Sequence, residues 1–200
     1  KIISLFSIPL KWKYKSTVKL VSEFNKIPYM YTDNLNYLLG NFKLNKNDIF
    51  ISFQPQIIKN PQKLNFNLIN CHPGDLKLYR GIKPIFWAMI ENQKILKISV
   101  HFIDKGIDTG EIIKECCLKI NNSLGDNYIA AYEKSPEVIL DAVEIIESCN
   151  KKNISLEKRE KNDNGIYRKF PTHDDINYFY KIRKRTSFSF KNFLKLLKTF

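Results

Sequence analysis

Three polar side chains stand where chemistry could be done: the amide of Asn70, the imidazole of His72 and the carboxylate of Asp108, in Asn70-Cys71-His72 and Ile107-Asp108-Thr109-Gly110. Each falls near the end of an expected strand. Side chains alternate along extended chain, so Asn70 and His72 share one face and Cys71 points to the other, as packing rather than as a nucleophile. An amide N–H and an imidazole can hold a developing oxyanion, and one preorganised donor of that kind is worth roughly 10²–10³ in rate. A carboxylate beside the imidazole favours its cation, fixes its orientation and helps to pass a proton. The chemistry in reach is transfer at a carbonyl carbon.

The elements that must position these groups alternate strand with helix, which argues for an α/β fold with a mostly parallel sheet flanked by helices. Ile2–Phe6 reads as a short strand, and Val18, Val21 and Phe24 take helical spacing within Thr17–Phe24, which Pro28 stops. Tyr29–Tyr31 reads as a further strand, Leu35–Leu39 as a short helix ended by Gly40, and Asp48–Phe53 as a strand buried on both faces. Leu68–Cys71 then delivers His72 at the carboxyl end of a strand, where open α/β sheets place their ligands. Pro84 opens a helix through Glu91, Ile98–Phe102 is a strand in which His101 is structural, and Glu111–Ile120 is another. Gly106 and Gly110 bracket Asp108 and allow a tight loop. Ser135-Pro136-Glu137 reads as the start of a helix over Val138–Cys149.

The run Asn70-Cys71-His72-Pro73-Gly74-Asp75-Leu76-Lys77-Leu78-Tyr79-Arg80-Gly81, with Pro84-Ile85-Phe86-Trp87-Ala88 and Ile107-Asp108-Thr109-Gly110-Glu111-Ile112-Ile113, resembles the formyltransferases that use 10-formyltetrahydrofolate. That family acts on methionyl-tRNA, glycinamide ribonucleotide and nucleotide-linked amino sugars. The resemblance, over about residues 1–120, implies a Rossmann-like domain and catalytic roles for Asn70, His72 and Asp108. It also assigns Phe53, Gln54, Pro55 and Ile57, with Asp104, Thr109 and Gly110, to the folate donor, and Arg80 and Gly81 to the acceptor, with no metal. Asp104 is expected to stabilise the loop that leads to Asp108. Gly74-Asp75-Leu76-Lys77 replaces the family's usual Ser-Leu-Leu-Pro, and Lys97 stands where a glycine is common. Ile2–Phe6 matches the second strand of the family fold, so the first strand-helix unit is expected to be lacking from this sequence.

Composition bounds the rest. Two hundred residues with 44% hydrophobic content suit one α/β domain, expected over 1–150, and a basic linker with a helical extension over 151–200. The net charge of +13 is uneven: +5, +5, −6 and +9 over successive fifties. Thr172-His173-Asp174-Asp175 resembles a capping box opening a helix toward Arg185, with His173 exposed, and Phe190, Phe193, Leu194 and Leu197 form an apolar stripe beyond it. No apolar run reaches the roughly 20 residues of a membrane-spanning helix, so a cytoplasmic protein is expected. Cys71, Cys116, Cys117 and Cys149 lack paired metal-ligand spacing and are expected as reduced, mostly buried thiols.

About 50 residues follow the expected catalytic domain, too few for the β-rich module of methionyl-tRNA formyltransferases. A small amine acceptor such as a nucleotide-linked amino sugar is therefore preferred. The basic tail keeps tRNA open as an alternative. A third reading, of another class, is a degenerate formyltransferase fold that binds nucleic acid, an anionic membrane or a partner helix. The oligomeric state is open, a dimer among the options.

Overall fold

The structure is a computed structural model that describes residues 2–5, 13–28, 30, 32, 34–41, 43–52, 57–152, 164–182 and 187. Tyr29 and Tyr31 of the expected strand, the residues Phe53, Gln54 and Pro55, and the Phe190–Leu197 stripe lie outside the described residues. The chain divides into two compact units, 1–68 and 69–200.

In the first unit, β1 (Ile2–Leu5) runs parallel to β2 (Ile49–Ser52), with Ile2 opposite Ile49 and Leu5 opposite Ser52. The helices α1 (Lys13–Phe24) and α2 (Leu35–Asn41) lie between them in the chain, as a parallel pair requires of its connection. All four residues of β2 are buried, which is why this strand shows no polar alternation. Leu35 and Leu39 anchor α2, which runs on through Gly40 because Asn41 Nδ2 donates to the Tyr37 carbonyl at 2.8 Å and satisfies a last-turn acceptor. In α1 the expected apolar positions Val21 and Phe24 are exposed, at 55% and 88%. Helical spacing aligns such side chains but does not by itself supply a surface to bury them.

The second unit carries β3 (Asn67–His72, whose first two residues precede the division), β4 (Arg80–Gly81), α3 (Pro84–Ile90), β5 (Ile95–Phe102), β6 (Ile112–Lys119), α4 (Leu124–Lys152), β7 (Tyr167–Arg168) and α5 (His173–Lys181). The class is α/β, with mixed pairing. β5 is antiparallel to both β3 and β6, while β4 and β7 form a short parallel ladder. The connection 103–111 between β5 and β6 is shorter than the dozen or so residues that a parallel crossover needs. Between β3 and β5, α3 has only seven residues. At 1.5 Å per residue it spans about 10 Å, too little to carry the chain back along a strand.

Leu96, Ile98 and Val100 of β5 are buried, and α4 packs across β5 and β6 with Val138, Ala142 and Ile146 buried. This helix differs from expectation. It begins at Leu124, where Ser123 Oγ accepts the Asp126 N–H at 3.1 Å, and continues through Pro136 and past residue 150. Proline removes one helical donor, and Ser135 Oγ donates to the Ala131 carbonyl at 2.7 Å in the turn just before it. The sequence Ser-Pro-Glu therefore sits inside a helix instead of opening one.

The capping box at Thr172 is formed: Thr172 Oγ1 accepts from Asp175 N at 3.3 Å, and Asp175 Oδ2 accepts from Thr172 N at 2.8 Å. His173 is exposed at the helix start. Phe179 is fully buried and stacks on Phe86 at 4.9 Å, fastening α5 to α3 with about 1.5–3 kcal/mol of apolar burial. Of the cysteines only Cys71 is buried; Cys117 is exposed because it lies on β6, the last strand of its sheet. Among the described residues no helix is long and apolar enough to cross a membrane.

Candidate active site

Asn70 and His72 close β3, directly opposite His101 and Ser99 of β5. Cys71 takes the other face, where its thiol meets Ser135 of α4 and burial pushes its pKa up to about 11. A thiol so held is no nucleophile at neutral pH.

The loop after β5 delivers the carboxylate. Asp104 Oδ1 accepts from Gly106 N at 3.0 Å and from Thr109 Oγ1 at 2.5 Å, which folds the turn on itself. A Cβ at Gly110 would lie 1.8 Å from the Phe102 carbonyl oxygen, so the chain can return beside β5 only with glycine there. Asp108 takes φ 53°, a left-handed conformation that costs a non-glycine residue of order 1–3 kcal/mol and that surrounding contacts must hold.

Those contacts converge on its two oxygens. Oδ2 accepts the Gly81 N–H at 2.8 Å and lies 3.5 Å from His72 Nδ1. Oδ1 lies 3.5 Å from both Asn70 Nδ2 and His101 Nε2. Burial alone would raise the carboxyl pKa, but the imidazoles of His101 and His72 and the Gly81 N–H outweigh it and hold the group down to about 2. Asp108 is ionised at neutral pH.

His72 Nε2 sits 2.7 Å from the Tyr79 carbonyl. A carbonyl only accepts, so Nε2 carries the hydrogen and Nδ1 is the atom turned to Asp108. Burial pushes the imidazole pKa below its ordinary value, against the opposing pull of Asp108 and the Tyr79 carbonyl. At neutral pH the ring is therefore neutral, with a bare Nδ1 that can take a proton and a carboxylate beside it to stabilise the resulting cation.

His101 is the residue that strand alternation concealed. Its Nδ1 donates to the Phe102 carbonyl at 2.8 Å, and Nε2 lies 3.2 Å from Asn70 Nδ2. Nε2 also lies 3.5 Å from Asp108 Oδ1, so the ring stands against the Asn70 amide and the carboxylate together. The β5–β6 register shifts between Val100 and His101, a bulge of the kind that re-aims a side chain. The sequence signal was the paired spacing, Asn-x-His on one strand and Ser-x-His on its neighbour.

The remaining expected residues are distributed differently. Gly81 meets Asp108 through its backbone N–H, and Arg80 is half-buried in β4 with its N–H on the Ile166 carbonyl at 3.0 Å. Asp104, Thr109 and Gly110 are committed to shaping the loop. Ile57, in the first unit, is exposed, and its carbonyl accepts from Asn36 Nδ2 at 3.1 Å. An amide donor and a proton-accepting imidazole within 3.5 Å of one carboxylate can hold a carbonyl oxygen that gains charge and take up a proton. Among the described residues no cluster of three or more His, Cys, Asp or Glu could hold a metal ion.

Comparison with known proteins shows what the chain around these residues is similar to. The formyl transferase family model matches residues 55–143, a span that contains Asn70, His72, His101 and Asp108. Over 127 residues the chain is 33% identical to the bifunctional polymyxin resistance protein ArnA of Wigglesworthia glossinidia brevipalpis, a match covering 60% of this chain and 19% of that one. Over 131 residues it is 34% identical to the methionyl-tRNA formyltransferase of Mycoplasma genitalium, covering 64% and 39%. The matches span less than half the length of these relatives. Among solved structures, the sugar 3N-formyl transferase WlaRD shares the fold with a TM-score of 0.59 at 20% identity, covering 86% of this chain and 66% of that one. Residues 55–143 of the chain are thus similar to the formyl transferase family, and the relatives share that similarity over part of their length.

Proposed function

We propose that the protein transfers a formyl group from 10-formyltetrahydrofolate to a primary amine on a small molecule, with a nucleotide-linked amino sugar as the preferred acceptor class. The observation that carries this reading is the convergence of Asn70 and His72 on Asp108, each with a polar atom 3.5 Å from its carboxylate. The donor supplies an activated formyl carbon. In this reading Asn70 Nδ2 gives a hydrogen bond to the formyl oxygen as it gains charge, exchanging the long 3.5 Å contact with Asp108 for a shorter one. His72 Nδ1 receives the proton that the acceptor amine loses, Asp108 stabilises the imidazolium, and the same proton then serves the departing nitrogen. The new N–C bond replaces the one to the donor, and no net proton is gained or lost at His72.

A second reading, methionyl-tRNA as the acceptor, is favoured by the name of the Mycoplasma genitalium relative. The two are separated by offering the purified protein 10-formyltetrahydrofolate with either acceptor and measuring tetrahydrofolate release. Release with the amino sugar supports the proposal. Release with methionyl-tRNA alone selects the second reading, and none with any primary amine overturns both.

A further inference from the structure

The two catalytic side chains of loop and strand share one backbone support. Tyr79 supplies the carbonyl that fixes His72, and Gly81, two residues on, supplies the N–H that fixes Asp108. This short segment is itself held by residues beyond the span matched to the family. Arg80 N donates to the Ile166 carbonyl at 3.0 Å, Ile82 N to the Arg168 carbonyl at 2.9 Å, and Ile166 N to the Lys77 carbonyl at 3.0 Å. The Arg168 side chain then closes over the same segment. Its Nε donates to the Leu78 carbonyl at 3.3 Å, its guanidinium pairs with Glu91 and lies over the rings of Tyr79 at 5.5 Å and Trp87 at 5.4 Å. Tyr79 OH donates to the other Glu91 oxygen at 2.7 Å, and Trp87 Nε1 donates to the Lys169 carbonyl at 3.2 Å. The approach is close enough to fix residue 81: with φ +91°, a Cβ there would lie 2.5 Å from the Arg168 carbonyl oxygen.

We propose that β7 is a clamp on the catalytic apparatus, with Arg168 a positioning residue that sets His72 and Asp108 through the Tyr79–Gly81 backbone. Its effect on turnover rests on the function proposed above; its effect on the imidazole does not. Backbone pairing alone would leave a two-residue ladder free to fray, since so short a parallel pair has few bonds to lose. The guanidinium adds an ion pair, a hydrogen bond and two ring contacts from a side chain that is 22% exposed. It ties Leu78, Tyr79, Trp87 and Glu91 into one body. The charged and titratable groups facing this clamp are Glu91 and Tyr79; those facing Asp108 are His72 and His101.

Arg168→Met, which keeps the aliphatic stem, tests the proposal in the full chain. Nitrogen NMR of the His72 ring at neutral pH, without donor or acceptor, is expected to show the Nε2–H form in the parent protein and a mixture of tautomers in the variant. Formyl transfer is expected to lose roughly tenfold to a hundredfold in kcat with KM within about twofold, the scale of a misplaced reacting group. Arg168→Lys, which restores the charge opposite Glu91 without the planar fork, should recover part of the rate. A folded Arg168→Met protein with the parent's His72 tautomer and kcat overturns the clamp. If that variant does not fold, Trp87→Phe, which removes the bond to the Lys169 carbonyl and trims the ring under the guanidinium, is expected to shift the tautomer in the same direction, and an unshifted spectrum overturns the proposal. Should no acceptor support turnover, the tautomer measurement still decides it.

Discussion

Replacing Asp108 with asparagine keeps the shape of the side chain and an oxygen for the Gly81 N–H, and removes the charge that faces His72 and His101. Its consequence for stability follows from the titration of the carboxyl. The folded pKa is about 2 against an ordinary 3.8. A carboxyl depressed in the native state stabilises it above the ordinary value and loses that contribution as the pH falls through the folded value. That depression corresponds to roughly 2 kcal/mol in full, of which about 1 kcal/mol should disappear between pH 5 and pH 3. Urea unfolding followed by tryptophan fluorescence at these two pH values reads the change directly. The parent should lose about 1 kcal/mol more than Asp108→Asn over that interval. Equal losses would refute the reasoning, because they would mean that the charge is not held by the imidazoles and the Gly81 N–H. In the variant burial acts on His72 unopposed by the carboxylate, so its pKa falls further and the imidazolium becomes harder to form. Transfer should slow by roughly a hundredfold or more, the usual worth of a placed proton-transfer group.

Two further outcomes follow from the site's geometry. His101→Leu removes the ring that stands against the Asn70 amide and Asp108, so kcat should fall about tenfold with little change in the donor's KM, while His101→Gln, which offers a polar amide in its place, should recover part of it; rates measured at saturating acceptor decide. Gly110→Ala pushes a methyl group into the Phe102 carbonyl and should lower stability by about 2 kcal/mol or more, read as a drop in the urea midpoint, whereas an unchanged midpoint would show that the loop has room to move.

That Asn70, His72 and Asp108 come together in space was legible because each combines a chemical group with local punctuation: Asn70 and His72 at a strand end before proline, Asp108 between two glycines. The α/β alternation was legible from apolar spacing for the same reason. The direction of β5 was not, because alternation of elements says where helices fall but not whether the chain crosses the sheet, and the seven-residue α3 is too short to carry it across. His101 was read as structural because a buried strand position looks alike whether it packs or positions; only the register that puts it opposite Asn70 reveals its contact. Ser135-Pro136 misled for a local reason. A serine before proline opens many helices, and here the Ser135 hydroxyl turns back to Ala131 inside a long one. The pairing of Arg168 with Gly81 joins residues far apart along the chain, a distance over which periodicity and motif spacing carry no information.

The central claim is that Asn70, His72 and Asp108 act on one formyl carbon as a unit. It is tested most directly by tetrahydrofolate release from 10-formyltetrahydrofolate and an amine acceptor, compared among the parent protein, Asn70→Ala, His72→Ala and the double variant. Groups that work as a unit are non-additive, so each single change should remove most of the rate and the double variant should be little worse than either, with losses of roughly a hundredfold or more. Turnover at the parent rate in either single variant would contradict the account.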